Sequence, residues 1–206
     1  MKKTEFIAIA ILLIALVSCS KKDATPTAPE PLPPVNDAPA PAMHYTDLSG
    51  KNITYRRSLV LDLNNDGHTD LWFYTQLVGD SQTLQDRIHY MVTSSQYCHL
   101  LIDTLTEQTP RFGLGQVIPV AAPEKLIWYN IAAVTLMRKV ISTHEHIRWE
   151  GNWTNSGHQF LPFQVRTAKG VHNGWIEMTA DAETESLTFY RYAISVQPNV
   201  VIKAGY

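Results

Sequence analysis

"YRRSLVLDLNNDGHTDLWFY", residues 55–74, carries the decision about the fold. Tyr55, Arg57, Leu59, Leu61 and Leu63 stand at every second position, and Leu71-Trp72-Phe73-Tyr74 resumes an apolar run after a polar loop. A period of two is the spacing of a β-strand whose alternate side chains enter a core. Two such runs joined by a short loop rich in Asn, Asp and Gly read as a hairpin.

The same pattern recurs downstream. Residues 87–94 (RIHYMVTS), 125–129 (KLIWY), 144–150 (HEHIRWE), 159–166 (QFLPFQVR), 174–180 (GWIEMTA) and 187–196 (LTFYRYAISV) are short, β-branched or aromatic, and bounded by turn residues. One segment, Ile131 to Ile141 (IAAVTLMRKVI), has the composition of a helix: Ala, Leu, Met, Arg and Lys with no Gly or Pro. Strands without interleaved long helices cannot form parallel crossovers, so the expected class is all-β. The architecture is an antiparallel β-sandwich or jelly-roll-like domain with one short helix. Five tryptophans, at 72, 128, 149, 153 and 175, are core candidates. Trp149 and Trp153 are also candidates for a ligand-binding aromatic surface.

The loop at Asp62–Asp70 is the most chemically specific stretch of the folded part. Asp62, Asn64 and Asp66 alternate, Gly67 permits a sharp bend, His68 offers a main-chain carbonyl, and Asp70 closes the loop. Hard oxygen donors at this spacing suit calcium, and without a cation the carboxylates repel one another. A hairpin turn accounts for Asp66 and Gly67 but leaves Asp62, Asn64 and Asp70 unexplained. The acid that an EF-hand needs at its twelfth position is replaced by Phe73. The stretch resembles instead the D-x-[DN]-x-D-G-x-x-D calcium loops of integrin-type repeats and of many secreted bacterial domains. That resemblance implies a structural calcium ion held by Asp62, Asn64, Asp66, His68 and Asp70.

The chain opens with Lys2 and Lys3, followed by 12 apolar residues from Phe6 to Val17, too short for a comfortable membrane span and typical of a secretion signal. Leu16-Val17-Ser18-Cys19 resembles the lipobox of bacterial lipoproteins. The resemblance implies that residues 1–18 are removed, that Cys19 is acylated, and that the membrane partner is reached through lipid alone. Ser20 rather than aspartate after the cysteine implies passage to the outer membrane, and Lys21-Lys22-Asp23 resembles a surface-export tag. Residues 19–43 then form a tether with seven prolines and intervening alanines, which buries no core and spans up to about 75 Å at ~3.1 Å per residue. Residues 44–206 are read as one domain.

Removal of residues 1–18 leaves 15 basic and 18 acidic residues, a balance that does not recruit nucleic acid. With Cys19 acylated, Cys98 has no disulfide partner and reads as a small buried apolar residue. Residues 173–206 contain Gly-Trp-Ile-Glu, then Tyr-Arg-Tyr-Ala, then an Ile-Lys-Ala-Gly close. This ending resembles that of a group of uncharacterised secreted bacterial β-domains, which implies a shared fold and no particular activity.

His144 and His146, two apart, would share one face of a strand and could be half of a zinc site. Glu145, Glu150, Asp181, Glu183 and Glu185 are the acids available to a glycosidase, whose identity depends on separations that spacing along the chain does not give. There is no G-x-S-x-G elbow, H-E-x-x-H helix or phosphate-binding glycine loop. No catalytic residue is therefore assigned. The expected function is a membrane-anchored, calcium-stabilised binding module for a glycan, a polymer or an envelope protein. A hydrolase of extracellular polysaccharide and a purely structural envelope component are the alternatives.

Overall fold

A computed structural model describes residues 39–144 and 146–206. The leader, Cys19 and most of the tether lie outside the described residues, as does Glu145. The chain from Pro39 to Tyr206 is an antiparallel two-layer sandwich. Its strands are β1 (Met43–Ile53), β2 (Leu59–Leu61), β3 (Leu71–Asp80), β4 (Gln85–Ser94), β5 (Cys98–Asp103), β6 (Val117–Ile118), β7 (Leu126–Asn130), β8 (Ala133–Ser142), β9 (Arg148–Glu150), β10 (Ser156–Thr167), β11 (Gly170–Asp181), β12 (Ser186–Ser195) and β13 (Ile202–Lys203). A six-stranded sheet runs β1-β12-β11-β10-β5-β7, a five-stranded sheet runs β2-β3-β4-β8-β9, and β6 pairs with β13 in a small ribbon.

The opening stretch is the hairpin its alternation indicates. Leu59 faces Phe73, Val60 faces Trp72 and Leu61 faces Leu71 across β2 and β3. The odd-numbered members point inward and are buried or partly buried, while Val60 and Trp72 point out. The inward side chains meet those of the other sheet, with the Phe73 and Phe189 rings edge to face at 4.8 Å. Behind the six-stranded sheet lies a second apolar cluster, in which Trp175, Phe160 and Leu101 pack under Phe112, Ile118 and Ile202.

Gly174 explains the Gly-Trp-Ile sequence. A Cβ there would lie 2.2 Å from the Phe163 ring, so glycine lets that ring press on the β11 backbone while Trp175 and Ile176 enter opposite clusters. The small ribbon is fastened by buried amides. Gln164 donates to Asn173 Oδ1 and to the Val120 carbonyl, both at 2.8 Å, and Asn173 donates to the carbonyls of Val200 at 2.8 Å and Ile118 at 3.2 Å. Two buried side chains thereby satisfy main-chain groups of a loop that no long strand pairs.

The expected helix at Ile131–Ile141 is instead β8, hydrogen-bonded to β4 on one side and β9 on the other. Helix-favouring Ala, Leu, Met and Lys are overridden because Val134, Val140 and Ile141 are β-branched and β4 pairs with the strand along most of its length, β9 adding a second partner over Arg138–Val140. A bulge between Thr135 and Met137 leaves Leu136 without an opposite residue on β4, and its carbonyl accepts the Trp153 N–H at 3.0 Å instead. Residues 144–150 form a strand only over β9. His144 and His146 are exposed in the connection before it, so strand alternation does not place them on one face. Cys98 is buried, and burial pushes its thiol well above the ordinary value, which makes it inert.

Candidate functional site

The Asp62–Asp70 loop is built around main-chain amides. Gly67 has φ of 86°, a left-handed bend that glycine adopts at little cost. That bend turns successive N–H groups toward the acidic side chains. Asp62 accepts from the N–H of Gly67 at 2.8 Å and of Asp66 at 3.2 Å, and Asp66 accepts from the N–H of His68 at 2.9 Å. Asn64 accepts from the Asp66 N–H at 3.1 Å and donates to Asp66 Oδ2 at 2.9 Å. The Asn64 amide and the His68 N–H hold the exposed Asp66 carboxyl below its ordinary range.

Asp70 is different. It is buried, with 2 % of its surface exposed, and its Oδ2 accepts the Leu63 N–H at 2.8 Å. Its own N–H donates to the Leu61 carbonyl and its carbonyl accepts the Ser95 N–H, both at 2.8 Å, so one residue ties the hairpin to the β4–β5 corner. Tyr192 of the opposite sheet adds a hydroxyl donated to the Asp62 carbonyl at 3.3 Å. Burial pushes the Asp70 carboxyl up to about 6. The Leu63 N–H opposes that shift, and the charges of Asp66 and Asp62 add to it.

The five expected ligands are therefore gathered in one loop, and their oxygens are the hard donors that calcium takes. Asp62, Asn64 and Asp66 direct theirs at loop amides, which leaves further lone pairs on each oxygen. His68 is exposed, and its charge adds to the lowering of the Asp66 carboxyl. Among the described residues, no three His, Cys, Asp or Glu side chains already surround a common point. A cation would thus draw the carboxylates inward from their amide partners.

Of the two tryptophans considered both for the core and for an aromatic surface, Trp153 belongs to the core and Trp149 lies at its margin. Trp153 is fully buried in the inter-sheet core, its indole N–H donated to the Thr109 carbonyl at 3.2 Å. Trp149 is partly buried and packs on the same core near Tyr90, with ring centroids 5.9 Å apart. The exposed indole is Trp72, 45 % exposed and stacked on Tyr74 with centroids 4.5 Å apart. Register identifies it: with Leu61 and Leu71 facing inward as a pair, Val60, Trp72 and Tyr74 must face out.

Glu150, Asp181 and Glu185, three of the acids considered for a glycosidase, are engaged elsewhere, Glu185 with the Lys139 ammonium, and Glu177, which the sequence did not single out, is engaged as well. Hydrogen bonds from Arg148 and Arg138 hold Glu150 below the ordinary range. Burial would raise Glu177, but bonds from His158 at 2.9 Å and Arg191 at 2.7 Å outweigh it and hold that carboxyl low. In the β11–β12 turn the Glu183 N–H first, and then the Thr184 side chain, lower Asp181. Carboxyls stabilised as anions are poor general acids at neutral pH. No family model, no curated protein and no solved structure matches the chain.

Asp70 sets a pH dependence in calcium-free buffer. Its folded value of about 6 lies above the unfolded one of ~3.9, so the stability it contributes is fully present below about pH 4 and is lost as pH rises through about 6. Two units at ~1.36 kcal/mol each correspond to a loss of about 3 kcal/mol. Asp70→Asn keeps an acceptor for Leu63 and removes the titration. Urea denaturation at a series of pH values should show the wild type losing about 3 kcal/mol relative to Asp70→Asn between about pH 4 and pH 7. Parallel curves for the two chains would contradict this account of the loop.

Proposed function

We propose that this chain is a lipid-anchored envelope protein whose sandwich is a non-catalytic glycan-binding module. The observation that carries the binding reading is the Trp72–Tyr74 pair, a large aromatic surface left in water on an open sheet face. Leaving an indole exposed forgoes about 1.5–3 kcal/mol of burial, and exposed aromatic patches mark interaction sites. Sugar rings present C–H groups that pack on aromatic faces. The mutual stacking of Trp72 and Tyr74 holds such a surface rigid, so little conformational entropy is lost on binding.

The leader and Cys19 support attachment through acyl chains, and Ser20 supports the outer membrane as the destination. The proline-rich stretch before Met43 would hold the domain away from the lipid surface. Calcium is the ion proposed for Asp62, Asn64, Asp66, Asp70 and the His68 carbonyl, with a structural role. The repulsion that Asp62 and Asp66 exert on Asp70 is the feature a divalent cation would relieve.

Two experiments test this reading. Growth on an alkyne-tagged palmitate should label the chain, with the label lost in Cys19→Ala; a label surviving the substitution would argue against acylation at that residue. The full-length chain in mild detergent should be retained by at least one immobilised polysaccharide in a panel of neutral and acidic polymers, and Trp72→Ala should abolish retention without lowering the melting temperature. Retention on none, or retention indifferent to Trp72→Ala, would overturn the binding assignment.

A further inference from the structure

β7 ends the six-stranded sheet, and only β5 pairs with it. The Lys125 carbonyl accepts the Thr104 N–H and the Ile131 N–H donates to the Ser95 carbonyl, so the odd-numbered main-chain groups serve the β5 side. Alternation turns the N–H and C=O of Trp128 and Asn130, and the C=O of Leu126, toward the open side. The Leu126 N–H is taken by the Pro123 carbonyl at 3.1 Å.

A bare sheet edge invites a further strand, and proteins ordinarily guard it by shortness, charge or a bulge. The other edges follow that rule. β2 and β9 are three residues long, and β9 is Arg-Trp-Glu. β1 carries His44, Asp47 and Lys51 and loses register between Asp47 and Lys51. Among the described residues β7 is the edge without a charge or a bulge. Residues 126–137 hold no charged side chain, and Ile127 and Tyr129 leave 45 % and 54 % of their surface in water. Their partners Ile102 and Leu100 on β5 lie in the inter-sheet core, so these two side chains carry that core past the rim of the domain.

The edge is complementary to itself. Lys125 and Ile131, with φ of 69° and 52°, are left-handed and bound the extended segment. The antiparallel register centred on Trp128 is therefore the one that pairs all five residues. In it Trp128 exchanges both main-chain bonds with Trp128 of a second copy, and each Asn130 N–H meets a Leu126 carbonyl. Ile127 of either copy stands opposite Tyr129 of the other, a β-branched side chain against an aromatic one, which is a favourable cross-strand pair. Lys125 falls opposite Ile131, so no like charges face each other across the seam.

We infer that the chain forms a two-fold dimer through β7, which joins two six-stranded sheets into one. Trp72 and Tyr74 lie on the outer face of the other sheet and take no part in the pairing, so the dimer presents two such faces.

Light scattering combined with absorbance, which separates protein mass from detergent mass, counts the chains per particle of the full-length protein in mild detergent. At about 100 µM two chains per particle are expected. Ile127→Lys/Tyr129→Lys sets like charges across the seam and should halve the protein mass, whereas Ile127→Lys/Tyr129→Glu sets opposite charges there and should keep two chains. Both side chains are half in water, and an unchanged circular dichroism spectrum checks the fold. Oxidation with diamide reads the register. Ile127→Cys/Tyr129→Cys places thiols on opposed residues with Cα atoms about 4.5 Å apart and should give a covalent dimer. Ile127→Cys alone leaves its thiols on a diagonal of about 7–8 Å and should stay uncrosslinked. One chain per particle in the wild type overturns the inference, as does a two-chain mass that Ile127→Lys/Tyr129→Lys leaves intact, the result expected of two chains sharing a micelle. Loss of the dimer in both charged variants, or cross-linking of the single cysteine variant as readily as of the double, overturns the pairing of β7 with itself.

Discussion

A carboxylate taken out of water beside two others is the constraint from which the rest of this domain follows. Asp70 is almost wholly buried, its main chain is bonded to Leu61 and Ser95, and its side chain caps the Leu63 amide. Those bonds set the register in which β2 and β3 leave the loop, and register decides which side chains enter the core. With Leu61, Leu71 and Phe73 inside, Trp72 and Tyr74 are forced out onto the open face of the five-stranded sheet. The loop thus connects to the proposed binding face through the strand that both share. The link is geometric: Leu71 alone separates Asp70 from Trp72, and the strand that starts there is held at one end by the loop.

Much of this was legible from alternation. β4, β10, β11 and β12 were anticipated because their side chains alternate or run continuously apolar between turn residues. β8 was not, because Ala, Leu, Met and Lys report local preference, and the partners that make it a strand lie some 45 residues away on β4. β1 escaped notice for a different reason. It is an edge strand with mostly exposed side chains, so its sequence MHYTDLSGKNI carries no apolar period to read.

The loop ligands were legible as a set, because metal chemistry demands residue types at fixed spacing within a short segment. The burial of Asp70 alone among them was not, since it depends on the β4–β5 corner closing over it. The tryptophans show the same limit. Trp153 fits either core or surface by sequence and is core, its main-chain N–H bonded to the Leu136 carbonyl at the bulge and its indole N–H to the Thr109 carbonyl. Trp72 was counted with the core, although its place between Leu71 and Phe73 already required one of the three to face out. Composition identifies how many aromatic side chains a sandwich has; only pairing says which sheet surface each one meets.

The central proposal is that a cation compensates Asp70 and its neighbours. Isothermal titration of calcium into the full-length chain at about pH 6, repeated in buffers of different ionisation enthalpy, measures that directly. One ion should bind per chain, with Kd in the range of extracellular modules, ~10⁻⁴ to 10⁻³ M or tighter. Because Asp70 holds a fraction of a proton at that pH, binding should release it, and Asp62→Ala should lose both the heat and the release. No binding, or binding that Asp62→Ala leaves intact with no proton released, would contradict the claim and leave the loop an amide-bonded turn around an acid that stays protonated.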